Sequence, residues 1–228
     1  MMITPPKYYA NLPQAVGRLF VEQADFLYSQ VNFNMPDSPL HAKAHCERVL
    51  LHALATGAEE LGTDDTEGLE ILAHAAVFHD TRREDEYLDT GHGARAAVYY
   101  EQFCRESDGK VKFHPEAAYL MRYHDLDDKV GIEAIRRDFG PEGKYGSACQ
   151  KDADRTARVE KLYAIFKDAD ALDRWRLGRW GLDVKYLRTP SARNRVNTAK
   201  ELVTDTMDPQ ILAYYDKLID DMMKGVES

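Results

Sequence analysis

A histidine and an aspartate stand side by side at the end of an apolar run. Residues 69–78 are mostly apolar, and His79-Asp80 follow at once. An imidazole next to a carboxylate can hold a metal ion. His45 lies upstream and Asp170 downstream, so the order along the chain is His, His-Asp, Asp. Because these residues are far apart in the sequence, the pattern demands a fold that brings them together.

Two neutral imidazoles and two carboxylates form a borderline-hard set of nitrogen and oxygen ligands. Such a set suits manganese, iron, cobalt, nickel or zinc, and magnesium is compatible with its oxygen atoms. The pattern does not select among these divalent metals. It predicts a metal site without predicting which metal fills it.

Apolar residues recur at helical spacing through most of the chain. Segments of this kind are separated by short stretches that contain Pro, Gly, Asn or Ser. The pattern predicts an all-α protein, with a helix cap among residues 64–66 for the helix that leads to His79. The other expected helices cover residues 12–30, 40–61, 93–107, 115–124 and 158–172, and further amphipathic helices are expected in the C-terminal extension, 175–228.

With these ligand types in this order, the chain resembles the HD-domain superfamily of metal-dependent phosphohydrolases. The matching residues are His45, His79-Asp80 and Asp170, and Asp170 follows an alanine as in the family's Ala-Asp pair. The resemblance covers roughly residues 40–180. It implies a single domain over residues 1–228, built as an HD-type helical bundle with additional N- and C-terminal helices. It also implies that these four residues bind a divalent metal.

Two further histidines resemble the second-metal ligands of the binuclear members of that superfamily. His92 stands just before the small residues that start a helix, and His124 stands at the end of an apolar helix. In families with two metals, histidines in such places hold the second ion, and the aspartate of His-Asp bridges the two. The resemblance therefore implies one or two metals per chain, with Asp80, His92 and His124 on the second.

A charged segment follows the His-Asp pair. Residues 81–89 carry no apolar period, which predicts a loop or a short helix at the mouth of the site. A planar guanidinium beside a metal is well suited to bind a pair of phosphate oxygens. Arg82 or Arg83 is therefore expected to orient the substrate, and Asp89 could accept a hydrogen bond from a ligand imidazole. The alternative is a solvated charged turn.

Several other polar residues are expected to have structural roles. His114 precedes a proline that starts a helix, so it is predicted to be a capping or surface residue. Asp168 and Asp173 flank Asp170 on other helix faces and are expected to pair with Lys167 or Arg174.

Two segments are left with alternative interpretations. The stretch of residues 138–157 has the glycine content and polarity of a long loop, either a lid or an ordinary surface excursion. The C-terminal tail either lines a substrate pocket or covers the core, and covering is the favoured prediction. Its candidate residues are Arg176, Arg179, Tyr186 and Arg188.

The composition limits the class of partner. The chain has 228 residues, 44% of them hydrophobic, which is enough for one substantial core. A net charge of −9 argues against a nucleic-acid polymer, because binding a phosphate backbone needs a basic surface. Three cysteines without CxxC spacing are typical of a reduced intracellular protein, and no leader or bilayer-length apolar run stands out. We expect a cytoplasmic protein without a membrane partner, and a homo-oligomer is compatible with the sequence.

The resemblance implies a hydrolase, a metal-dependent phosphomonoesterase or phosphodiesterase. Its expected substrate is a nucleotide or another small phosphate ester, attacked by a metal-activated water. Glu84-Asp85 suggest a guanosine polyphosphate hydrolase, but they lie one position later than that motif's usual place. The expected catalytic residues are Asp80, His92, His124, Arg82 and Arg83.

Two alternatives from other functional classes use the same residues. A minority of HD-fold enzymes hold two irons and use oxygen to cleave C–C or C–P bonds. A regulatory domain that binds a ligand without turnover is the other alternative, and retention of every expected ligand argues against it.

Overall fold

A computed structural model describes residues 1–146 and 151–226 of the chain. The described part is all-helical, as the periodicity predicts, and contains no strand. None of its helices is both long and apolar enough to cross a membrane. Its ten α-helices are α1 (Gln14–Gln30), α2 (Lys43–Leu61), α3 (Thr66–Phe78), α4 (His92–Glu106), α5 (Pro115–Tyr123), α6 (Asp128–Phe139), α7 (Lys151–Leu172), α8 (Pro190–Asn194), α9 (Val196–Thr206) and α10 (Pro209–Val226).

Helix α2 forms the centre of the molecule. Every residue from His45 to Gly57 is buried, because α1, α3 and α7 pack around it and α8 and α9 cover its remaining side. A helix that is buried on every side needs neighbours on every side, and this one carries polar as well as apolar residues into the interior. Gly57 allows α3 to approach closely, since a Cβ there would lie 2.6 Å from a methyl carbon of Leu72. The central position of α2 places His45 in the interior.

Helix α3 carries the His-Asp pair to the same interior region. Its N-terminus is capped by Asp65, whose carboxylate accepts a hydrogen bond from the backbone N–H of Gly68 at 2.9 Å, so the predicted cap is confirmed. At the other end the Thr81 hydroxyl donates to the carbonyl oxygen of Phe78 at 2.7 Å. The chain therefore turns immediately after the helix, and His79 and Asp80 stay buried instead of continuing toward solvent.

The second predicted helix begins later than the sequence indicates. We expected it to start near Leu40, but α2 starts at Lys43. The Ser38 hydroxyl accepts hydrogen bonds from the backbone N–H groups of Leu40 at 3.2 Å and His41 at 2.8 Å, and Ala42 is extended. This local bonding competes with the helix, as serine side chains commonly do. His41 consequently lies in a turn before α2.

Much of the long loop predicted for residues 138–157 is helical. Helix α6, which the sequence reading did not assign, runs to Phe139, and α7 begins at Lys151, before the predicted start at Arg158. Residues 147–150, with Cys149, lie outside the described part of the chain. Asp127 caps α6 by accepting from the Lys129 N–H at 2.9 Å. Residues 140–146, between the two helices, form turns and bends as predicted.

The C-terminal extension covers one side of α2 and α7. It begins with a 3₁₀ turn, Asp173–Leu177, and continues through α8, α9 and α10. Asp168, which we expected to pair with Lys167 or Arg174, is instead buried and accepts hydrogen bonds from the backbone N–H groups of Arg188 and Thr189. It therefore anchors the extension to α7. The small apolar cluster under the extension contains Leu172, Leu182, Leu187, Ala192 and Ala199.

A glycine at the contact between α6 and α7 is expected to be essential for their packing. A Cβ on Gly131 would lie 2.5 Å from Cζ of Tyr163, whose ring is buried and whose hydroxyl donates to the Tyr123 carbonyl at 2.8 Å. Gly131→Ala should lower the free energy of unfolding by about 1–3 kcal/mol because the rigid ring has to move. Chemical denaturation measures this change.

The matched control is Gly17→Ala in the first turn of α1. A Cβ there meets its nearest neighbour, the Tyr9 carbonyl oxygen, at 3.4 Å. Alanine has the higher helix propensity, so this variant should gain about 0.5–1 kcal/mol. Equal stability of the two variants would contradict the tight contact between α6 and α7.

Candidate metal centre

Five helix ends converge on one buried cluster of histidines and aspartates. His45 lies in the first turn of α2, His79 and Asp80 follow α3, and Asp170 lies in the last turn of α7. His92 and His124 come from the start of α4 and the end of α5. The described residues contain two groups that could hold a metal ion, and Asp80 belongs to both.

The first group joins α2, α3 and α7. Nε2 of His45 lies 3.1 Å from Nε2 of His79 and 3.4 Å from Oδ2 of Asp80. Asp170 completes it, since its Oδ1 lies 3.4 Å from His45 Nε2 and 3.9 Å from His79 Nε2. Ligand atoms bonded to one metal at about 2.0–2.2 Å are separated by about 3.0–3.5 Å. The spacing of these atoms therefore suits a shared ion.

The second group joins α3, α4 and α5. Oδ1 of Asp80 lies 3.0 Å from His92 Nε2 and 3.5 Å from His124 Nε2, and the two Nε2 atoms are 2.9 Å apart. Gly93 permits this approach, because a Cβ there would collide with the Met121 carbonyl oxygen and lie 2.8 Å from His124 Nδ1. The two helices can meet at this point only through a residue without a side chain.

The hydrogen bonds of the histidines determine which ring nitrogen is available. Nδ1 of His79 donates to the Ala76 carbonyl at 2.9 Å, that of His92 to the Asp89 carbonyl at 2.6 Å, and that of His124 to the Met121 carbonyl at 2.7 Å. A carbonyl oxygen only accepts, so in each neutral ring Nε2 carries the lone pair. Second bonds of this kind orient metal-ligating histidines.

The Nε2 lone pairs of His92 and His124 face each other, and a guanidinium N–H donor of Arg83 lies beside one of them, with Nη1 3.4 Å from His92 Nε2. His92 Nε2 and His124 Nε2 are at hydrogen-bond distance, yet neither carries a proton in the neutral tautomer set by its Nδ1 bond. Oδ1 of Asp80 is buried beside them and has no hydrogen-bond partner. Electron pairs this close repel unless a cation lies among them, and an unpaired buried carboxylate oxygen is costly. The residues present therefore fit a divalent metal.

The electrostatics keep the carboxylates ionised. Burial alone would raise the pKa of Asp80, but the neighbouring His79, His124, His41 and His92 outweigh it and hold that pKa well below its usual value. The pKa of Asp170 is also held well below its usual value, because His45 outweighs the effect of burial. Burial lowers the pKa of His79 to about 3. Anionic carboxylates and neutral imidazoles are the forms that bind metals.

A buried ion pair orients the ring of His45 through Nδ1, the nitrogen that does not face the ligand group. Its Nδ1 lies 2.7 Å from Oδ2 of Asp173, and the same carboxylate accepts from Arg48 Nε at 2.6 Å and Nη2 at 3.0 Å. We expected Asp173 to pair with Lys167 or Arg174, but the buried Arg48 of α2 is its partner. The sequence offers little sign of this, because Arg48 and Asp173 are joined only through the packing of α2 against the turn after α7.

A cavity of about 310 Å³ opens onto the cluster. Arg83 lines this cavity, and its Nη1 atom is 3.9 Å from Oδ1 of Asp80. Arg82 does not line it: its guanidinium stacks 3.3 Å from the ring centroid of Tyr99 and donates to the Asn32 carbonyl at 2.8 Å. A larger cavity of about 480 Å³ lies between α1 and the end of α4, but its lining contains no histidine.

Sequence reasoning did not select several residues that line this cavity. His41 is buried, and its Nδ1 lies 3.1 Å from Asp80 Oδ2; its spacing of four residues before His45 was the available signal. Lys167 donates to the His124 and Leu126 carbonyls at 2.8 Å each, and burial lowers its pKa. Arg176 was a candidate for lining a pocket, although covering the core was the favoured prediction, and it does line the cavity.

Two of the residues outside the cluster also differ from expectation. His114 is the N-cap residue of α5, as predicted, but it is buried and its side chain makes no capping bond; its Nε2 lies 3.3 Å from Oε2 of Glu70. Asp89, suggested as a partner of a ligand imidazole, binds His92 through its backbone carbonyl while its carboxylate pairs with Arg95 at 2.6 Å.

Comparison with protein-family models, with curated proteins and with solved structures gave no match to this chain.

Each of the two ligand groups is expected to bind one metal ion, and one ion can be lost while the other stays bound. Elemental mass spectrometry of wild-type protein purified without chelator should find two divalent ions per chain. His124→Ala should lose one, because it removes a nitrogen from the second group only. His114→Ala replaces an equally buried histidine outside both groups and should keep two. Equal loss in both variants, or no metal in the wild type, would contradict the assignment.

Proposed function

We propose that the protein is a metal-dependent phosphohydrolase acting on a nucleotide or another small phosphate ester. The observation that supports this most is the combination of two ligand groups sharing Asp80 with a cationic side chain fixed beside them. Arg83 lines the same cavity as Asp80, His92 and His124. A divalent metal held by these residues beside a guanidinium would suit a phosphate, since both cations would stabilise its negative charge.

Divalent ions at these residues would lower the pKa of a bound water and stabilise the charge that develops on the phosphate. The protein's own part is to hold the ligands and the substrate in place. Asp80 supplies one oxygen to each ligand group, and the Nδ1 bonds of His79 and His124 hold their rings against rotation. The ligands are thus preorganised before a substrate arrives, which lowers the cost of reorganisation during the reaction.

Arg83 is preorganised in the same way. Its Nη2 donates to the Tyr87 carbonyl at 2.6 Å and its Nε donates to the Asp85 carbonyl at 3.3 Å. These bonds hold the guanidinium over the cavity, while Nη1 points toward Asp80 and His92. A planar guanidinium fixed by two backbone bonds can donate to a phosphate oxygen without losing much side-chain freedom.

The size of the cavity supports a small substrate. A volume of about 310 Å³ is at the lower end of the range for small-molecule sites. The chain carries a net charge of −9, so its cations favour a phosphate only where they are concentrated locally. Arg83, Lys167 and Arg176 line this cavity and provide such a concentration. A nucleic-acid polymer would instead need an extended basic surface.

Adjacent arginines provide a sharp test of this role. Arg83→Ala should lower kcat/KM for 4-nitrophenyl phosphate by about 10- to 100-fold, since a hydrogen bond to a charged group contributes about 1.5–3 kcal/mol. Arg82→Ala removes the stack on Tyr99 and the hydrogen bond to the Asn32 carbonyl, neither of which lines the cavity, and should change kcat/KM by less than about 3-fold. Steady-state kinetics with manganese, cobalt, nickel and zinc in turn would measure both. Equal effects at the two positions would argue against phosphate binding by Arg83.

The oxygenase alternative makes a different prediction about oxygen. Hydrolysis consumes only water, so release of inorganic phosphate should proceed at the same rate under nitrogen as in air. Protein loaded with manganese should be active, because the reaction needs a Lewis acid and no change of oxidation state. Activity that requires both iron and oxygen would favour the oxygenase. Phosphate-ester binding without turnover with any of the metals would favour a regulatory domain.

A further inference from the structure

A second arginine faces the metal centre from the side opposite Arg83. Arg176 lies in the 3₁₀ turn after α7, and its side chain is 6% exposed. Its Nε donates to the Leu40 carbonyl at 2.9 Å, and its Nη2 lies 3.4 Å from His41 Nδ1. His41 in turn lies 3.1 Å from Asp80 Oδ2. Arg83 approaches the other carboxylate oxygen, Oδ1.

One nitrogen of Arg176 has no hydrogen-bond partner although it is buried. This atom is Nη1, and the nearest carboxylate oxygen, on Asp173, is 3.7 Å away and already accepts bonds from Arg48 and His45. An unsatisfied buried guanidinium N–H costs free energy unless a ligand accepts from it. Because Arg176 lines the cavity, an anion in the cavity can supply the missing acceptor.

We propose that Arg83 and Arg176 together bind the terminal phosphate of a phosphate monoester and select monoesters over diesters. This rests on the phosphohydrolase function proposed above. A monoester phosphate has three non-bridging oxygens and nearly two negative charges at neutral pH. A diester has two such oxygens and one charge. It therefore offers fewer oxygens to two guanidinium groups and to the metals that the two ligand groups would hold. Two arginines on either side of Asp80 therefore match the monoester.

The chemistry of a monoester is consistent with this arrangement. Hydrolysis breaks the P–O bond to the organic group and forms a P–O bond from water. One proton of that water goes to the leaving oxygen, which gives an alcohol and inorganic phosphate. Both the substrate and this product present terminal oxygens to Arg83 and Arg176, so inorganic phosphate is a direct probe of the pair.

The first measurement is the affinity of the metal-loaded protein for inorganic phosphate by isothermal titration calorimetry. Arg176→Gln should weaken binding at least about 10-fold, because it removes a charged donor. Arg179→Gln is the matched control: this arginine belongs to the same tail, but it is exposed and pairs with Asp220. If Arg176→Gln does not fold, Arg176→Lys is the second variant. It keeps the positive charge but loses the planar set of guanidinium donors, so weaker phosphate binding is again expected.

The second measurement is the selectivity between 4-nitrophenyl phosphate and bis(4-nitrophenyl) phosphate. Arg176→Gln should lower kcat/KM for the monoester about 10-fold and leave that for the diester nearly unchanged. Metal content, measured in parallel, should equal that of the wild type.

The outcomes separate this proposal from the proposed function. Unchanged phosphate affinity in the Arg176 variants, or a wild type that prefers the diester, would overturn the monoester assignment while leaving the hydrolase intact. Phosphate binding that depends on Arg176, without hydrolysis of either ester, would support the anion site and overturn the hydrolase.

Discussion

The carboxylate of Asp80 is the interaction on which the arrangement of this protein depends. Burying an ionised carboxylate costs several kcal/mol unless nearby groups stabilise it. Here the imidazoles of His41, His45, His92 and His124 all approach it within 3.5 Å. These rings come from three segments of the chain, the start of α2, the start of α4 and the end of α5, so these helix ends have to meet the end of α3 at one point. The apolar core around α2 holds those ends there.

Three of the candidate ligand histidines make the same local hydrogen bond. The rings of His79, His92 and His124 each donate from Nδ1 to the backbone carbonyl three residues earlier. At the end of α3 this bond satisfies the Ala76 carbonyl, and at the end of α5 it adds to the bond that the Met121 carbonyl accepts from the backbone N–H of His124. It also directs Nε2 into the cluster. The same hydrogen bond therefore lies at a helix end and orients a candidate metal ligand.

The proposed phosphate binding depends on how charge is distributed in an acidic protein. The net charge of −9 belongs to the whole chain, whereas Arg83 and Arg176 lie on two sides of the metal centre. Their guanidinium groups are held by backbone carbonyls of Tyr87 and Leu40. Low exposure strengthens their field at the cavity, because less water screens it. The local arrangement of charge therefore matters more for the ligand than the total.

The amino-acid sequence by itself determined the helical class and the set of residues that could bind a metal. Apolar residues at helical spacing predict α1, α3 and α7, because each helix has to bury one face. The order of His45, His79-Asp80 and Asp170 predicts a metal site, because imidazole and carboxylate are strong ligands wherever they occur. Both inferences depend on residue type and local spacing, which the sequence contains.

Only the tertiary structure decided which neighbours face the site. Arg82 and Arg83 are adjacent and chemically identical, yet one stacks on Tyr99 and the other lines the cavity, because the turn after α3 directs successive side chains in different directions. Asp173 meets Arg48, and Arg176 meets His41, across more than a hundred residues of chain. These contacts arise from helix packing and from a turn that ends near another helix. Because these contacts join residues that are distant in the chain, no local sequence pattern indicates them.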